Sequence, residues 1–75
     1  MEELVEFIAK NLVDHPEQVR VTSEKRGRRV RITLSVAPDD MGRVIGRQGR
    51  VAEAIRNVVH VVAQKRGLFV DVDIR

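Results

Sequence analysis

The chain has no cysteine, tryptophan or tyrosine, and only two phenylalanines, Phe7 and Phe69, in 75 residues. The lack of cysteine excludes disulfides, thiolate zinc sites and cysteine nucleophiles. The scarcity of rings argues against folds that read single strands on exposed aromatic platforms. No apolar run approaches about 18 residues, so no membrane-spanning helix is expected. The acidic start Met1-Glu2-Glu3-Leu4 is unlike a signal peptide, whose first segment is basic. A soluble cytoplasmic protein is the expectation. No Gly-Lys pair occurs, which removes the phosphate loop of nucleotide hydrolases, and Gly42, Gly46 and Gly49 have the wrong intervals for a dinucleotide fingerprint.

Charge is unevenly spread. The formal net charge is +3. Residues 1–17 set Glu2, Glu3, Glu6, Asp14 and Glu17 against Lys10 alone, a net of −4. Residues 20–31 set Arg20, Lys25, Arg26, Arg28, Arg29 and Arg31 against Glu24, a net of +5. An acidic end and a basic face are the electrostatic footprint of a nucleic-acid binder. A solvated hairpin whose charges keep an edge strand soluble is the plainer alternative.

Apolar periodicity divides the chain. Leu4, Val5, Ile8 and Leu12 recur at helical spacing, which predicts a helix over 2–13 with Glu2, Glu3 and Glu6 near its positive end. Asp14-His15-Pro16 ends it, because the residue before proline is driven out of the helical region. Val19 and Val21 alternate with Arg20 and Thr22 as a short strand, and 24–28 read as a turn around Gly27. Val30, Ile32, Leu34 and Val36 then alternate with Arg29, Arg31, Thr33 and Ser35 as the clearest strand. Ala37-Pro38-Asp39-Asp40 ends that strand and caps a short helix over 41–45. A long helix from Arg50 to about Arg66 turns Val51, Ile55, Val58, Val59 and Val62 inward, with Gly67 just past its end. The last strand places Leu68, Val70, Val72 and Ile74 inside and Phe69, Asp71, Asp73 and Arg75 outside. The order α-β-β-α-α-β points to an α+β fold, a three-stranded sheet with three helices packed on one face. Val61 exceeds what so small a sheet covers and is a candidate partner patch.

The stretch between the second and third helices carries the chemistry. In Val44-Ile45-Gly46-Arg47-Gln48-Gly49-Arg50, two glycines bracket a cation and an amide where the chain must turn sharply. The long helix begins here, so its unpaired N–H groups and positive dipole end face the loop. Arg47 and Arg50 add full charges. This is an anion site, and for a basic protein the natural anion is a nucleic-acid phosphate.

Met41-Gly42-Arg43-Val44-Ile45-Gly46-Arg47-Gln48-Gly49-Arg50 resembles the helix–GxxG–helix signature of KH RNA-binding domains, and the element order is similar to their prokaryotic, type II arrangement. The resemblance covers residues 1–75 as a single KH domain with its GxxG loop at 46–49. It implies a non-catalytic protein without cofactor or metal, acting on single-stranded RNA as a chaperone or post-transcriptional regulator. The backbone of Gly46, Arg47, Gln48 and Gly49 would clamp about four nucleotides. Gly42, Ile45, Ala52 and the exposed edge of strand 29–36 would form the groove, with Arg50 beside it. The basic hairpin, with Lys25, Arg26, Arg28 and Arg29, would be its variable wall. Ile45, sharing a face with Met41, is expected to serve core and groove floor together. The resemblance also implies a homodimer or a complex with a longer KH-containing partner, and a link to cell shape and cell-wall control. A protein-assembly module with weak RNA binding is the competing reading.

Other polar residues carry less. His15 and His60 are lone histidines, which usually have no catalytic or ligand role. Asp71 and Asp73 share a strand face and have no third ligand for a cation. Pairing with outward arginines such as Arg29 or Arg31 is the expectation for them.

Overall fold

The apolar stripes meet in one core in a computed structural model that describes residues 1–75. Helix α1 spans Glu2–Leu12, α2 Met41–Ile45 and α3 Arg50–Lys65, while strands β1, β2 and β3 span Arg20–Arg26, Arg29–Ser35 and Phe69–Ile74. Three 3-10 turns, Pro16–Gln18, Pro38–Asp40 and Arg47–Gly49, lie between them. The first two open on proline, whose fixed φ suits a first helical position and whose missing N–H would have had no partner there.

Strand β2 is central, with β1 antiparallel on one side and β3 parallel on the other. Its alternation buries Val30, Ile32 and Leu34 against Val5 and Ala9 of α1, Val44 of α2, and Ile55, Val59 and Ala63 of α3. Each buried valine, leucine or isoleucine side chain among them contributes about 1.5–3 kcal/mol. Ser23 Oγ donates to Glu2 Oε2 at 2.7 Å and ties the start of α1 to β1.

Three expectations need correction. The hairpin is tighter than the charge run suggested: β1 continues to Arg26 and only Gly27 and Arg28 turn, a two-residue loop whose twist suits antiparallel strands. A central β2 has no exposed edge, so no groove can use one; the open edge beside α3 belongs to β3. Leu12 and Val58 are exposed, at 37% and 45%. Position 58 lies about 100° round α3 from Val59, outside the sheet-facing stripe of Ala52, Ile55, Val59 and Ala63.

The direction of α3 fixes what can act together. Arg56 Nε donates to the Val72 carbonyl at 3.2 Å, and His60 Nε2 lies 2.9 Å from the Val70 carbonyl. The helix therefore runs antiparallel to β3. Its start, with the glycine loop, lies over the end of the sheet where β2 and β3 finish. The hairpin tip lies at the other end, where Phe69 N–H donates to the Arg28 carbonyl at 2.7 Å. Sixteen helical residues separate the two ends by about 24 Å.

Candidate nucleic-acid interface

Backbone conformation at the loop is unusual for three of four residues. Gly46 has φ +76° and Gly49 φ +75°, and between them Gln48 takes φ +58°, the chain's single non-glycine residue with positive φ. A side chain at Gly46 would also collide: its Cβ would lie 2.4 Å from Val51 Cγ2 and 2.9 Å from the Val51 amide nitrogen. Glycine is thus required there twice, by conformation and by the close approach of α3. Holding Gln48 in the left-handed region costs about 1–2 kcal/mol, a strain that concentrates at functional loops.

The result is a tip with Arg47 and Gln48 exposed, followed at once by α3. Gly49 stands at the N-cap, and no side chain bonds the first turn of the helix. Its N–H groups and dipole face the loop. Arg47 and Arg50 enter no ion pair within the chain.

Helix α2 supplies the adjoining wall. Gly42 is exposed, and a Cβ there would meet nothing within 4 Å. Glycine inside a helix costs about 0.5–1 kcal/mol against alanine. Internal packing does not call for it. Val44 is the fully buried residue of α2, whereas Ile45 is 36% exposed beside the loop. The expectation that Ile45 belongs to the core is therefore corrected: a five-residue helix turns one residue fully inward, and position 44 takes that place. An Ile45→Asn variant should keep its melting temperature within about 4 °C, the usual limit of a surface change, while binding RNA more weakly. A large drop in melting temperature would return Ile45 to the core.

Asp40 fixes α2 against the rest of the molecule. It is the one buried charged residue, 1% exposed, and its side chain does not cap α2 as expected. Its two carboxylate oxygens instead accept the N–H groups of Asp14 and His15, each at 3.0 Å. Arg43 lies 3.0 Å from the Asp14 carboxylate and 3.8 Å from that of Asp40. Sequence periodicity held no sign of this link across 26 positions; an Asp inside a Pro-Asp-Asp turn reads as a cap.

The residues assigned from sequence fall into two groups. Gly42, Ile45, Gly46, Arg47, Gln48, Gly49 and Arg50 come together around the loop, with Ala52 buried behind them. Lys25, Arg26, Arg28 and Arg29 lie at the far end of the sheet and do not wall the same groove. The strand that does flank α3 is β3, and Arg56 and His60, both unassigned from sequence, cover its outward carbonyls. Their i, i+4 spacing on one face of α3 was the available signal. Asp71 pairs with Arg29 at 3.5 Å, as expected, and Asp73 pairs with Arg75 at 3.0 Å.

A helix–GxxG–helix unit set between parallel strands, in the order α-β-β-α-α-β, defines a KH domain of the type II arrangement. A family model described as KhpA/KhpB, KH domain, matches residues 2–74. The chain belongs to that KhpA/KhpB family. It is 54% identical over 74 residues to the RNA-binding protein KhpA of Halalkalibacterium halodurans, a match covering 99% of this chain and 97% of that one. Against the RNA-binding protein KhpA of Clostridium perfringens the identity is 51% over 74 residues, covering 99% of each. Against that of Caldanaerobacter subterraneus subsp. tengcongensis it is 50%, with the same coverage. No solved structure matches the chain.

Proposed function

We propose that this protein is a non-catalytic, cytoplasmic RNA-binding module that clamps about four nucleotides of single-stranded RNA at residues 46–49. The observation that carries the reading is Gly46, whose positive φ and lack of room for a Cβ, which would lie 2.4 Å from Val51 Cγ2, set the loop closely against the start of α3 beneath two exposed polar side chains. Sugar–phosphate would lie against the loop backbone and the start of α3, with Arg47 and Arg50 as counter-charges and Gly42 leaving room. The relatives named RNA-binding protein KhpA support this ligand class. RNA chaperoning or post-transcriptional regulation, in the service of cell shape and the cell wall, is the role we assign to it. Fluorescence anisotropy with labelled single-stranded oligonucleotides tests the binding, and intact RNA after prolonged incubation with Mg²⁺ tests the absence of catalysis.

One clamp of about four nucleotides is weak, and self-association raises avidity through effective concentration. Ile8 and Leu12 of α1 and Val51, Ala54, Ile55 and Val58 of α3 line an apolar cleft of about 150 Å³ on the surface. Val61 continues it along α3, 52% exposed. This supports a homodimer, or a heteromer with a longer KH-containing protein of the KhpB type. The same groove favours the second reading, an assembly module with weak or vestigial RNA binding; its signature would be association that persists at high salt without measurable RNA affinity.

The hairpin contributes charge. Neutralising Arg26 and Arg28 to glutamine should weaken binding of long single strands of every composition alike. It should reduce the log–log salt slope by about 1.4, at about 0.7 per lost phosphate contact. Loss confined to one base composition would make the hairpin a reader of sequence instead.

A further inference from the structure

Both aromatic rings of this chain are exposed, Phe7 and Phe69 at 67% each. Phe69 is set apart by its neighbours. It opens β3 on the sheet face that no helix covers, in register with Arg29 on β2, which in turn faces Arg26 on β1. Strands lie about 4.8 Å apart, so the ring and the two arginines form a row about 10 Å across. In the next row stand Glu24, Arg31 and Asp71. Arg29 and Asp71 pair at 3.5 Å with both side chains mostly exposed, a pair worth little and easily exchanged. Arg26, Arg28 and Arg31 enter no ion pair. A cleft of about 360 Å³ bounded by Arg26, Arg29, Arg31 and Asp71 lies on this face, and a second of similar size runs from Phe69 round the β3 edge to His60 and Gln64 of α3.

We propose that this open sheet face is a second nucleotide site, where one base of a single-stranded RNA stacks on Phe69 while Arg26 and Arg29 hold its phosphates. The proposal rests on RNA binding at the glycine loop and extends it to a region about 24 Å away along α3. Every base has a face that stacks on an aromatic ring, and a guanidinium presents paired donors to phosphate oxygens. An acidic peptide would satisfy the arginines and leave the ring in water; a nucleotide engages both. The scarcity of aromatics in the sequence obscured the site, since one ring suffices for one stacked base.

The test compares a tetranucleotide with a dodecanucleotide, both single-stranded RNA, on the parent chain, Phe69→Thr and Phe69→Trp. Phe69 is exposed and threonine suits a strand, so circular dichroism should be unchanged. We expect Phe69→Thr to bind the tetranucleotide like the parent and the dodecanucleotide about tenfold more weakly, the loss of one stack, with Phe69→Trp restoring it. Undiminished dodecanucleotide binding by Phe69→Thr overturns the proposal. So does polyglutamate displacing the dodecanucleotide equally well from the parent and from Phe69→Thr, which would make the face an acidic-protein surface. A parent chain that binds neither oligonucleotide would instead remove the glycine-loop reading, and this proposal with it.

Discussion

Replacing Arg47 and Gln48 together by aspartate should abolish measurable single-stranded RNA binding while leaving a folded protein. Both side chains are exposed at the tip of the loop, and neither contributes to the core. Gly46 and Gly49, which set the backbone path, are untouched. Two carboxylates near the start of α3 are compatible with its dipole. A bound phosphate would meet two negative charges in place of a guanidinium and an amide donor. Like-charge juxtaposition at an interface costs several kcal/mol, so the loss should be about 100-fold or more. Native circular dichroism, unchanged self-association and lost anisotropy change are the expected readouts. A double variant that binds like the parent would remove the loop from the mechanism and favour the assembly reading.

Asp40→Ala should have the largest effect on stability. It removes the acceptor of two part-buried backbone N–H groups and strips Arg43 of one of its two partners. Hydrogen bonds to a charged group are worth about 1.5–3 kcal/mol each, and donors left unpaired add their desolvation penalty. A net loss of about 3 kcal/mol is a large share of the stability of a small domain and corresponds to a fall of about 12–24 °C in melting temperature. RNA affinity measured well below the lowered melting point should also fall, because α2 loses its anchor to the 14–15 segment. A melting temperature unchanged in Asp40→Ala would mean that water replaces the carboxylate and that α2 is held by Val44 alone.

The elements were legible because the apolar periods are clean. Val30, Ile32 and Leu34 alternate and are buried; Val5, Ile55 and Val59 belong to stripes at helical spacing and face them. The glycine loop was legible for a different reason. Paired glycines at a helix–helix junction, with Arg47 and Arg50 beside them, have few other uses. What stayed hidden depends on pairing between distant segments. Strand order is not written in alternation, so nothing local told β2 from an edge, or placed the hairpin tip and the glycine loop at opposite ends of α3. Asp40 resembled a cap because its partners lie 25 and 26 positions away. Ile45 and Val58 show the limit of counting apolar residues. Each sits next to a buried valine, and only the docking of the helix decides which of the two faces inward.

The most direct test of RNA binding at the glycine loop is a nuclear magnetic resonance titration of the ¹⁵N-labelled protein with a single-stranded tetranucleotide. The largest amide shifts should fall on residues 42–51, led by Gly46, Arg47, Gln48 and Gly49, with smaller changes along β3 beside Arg56 and little on α1. Shifts confined to the Ile8–Leu12–Val58 groove, or to the hairpin with the loop unmoved, would contradict it.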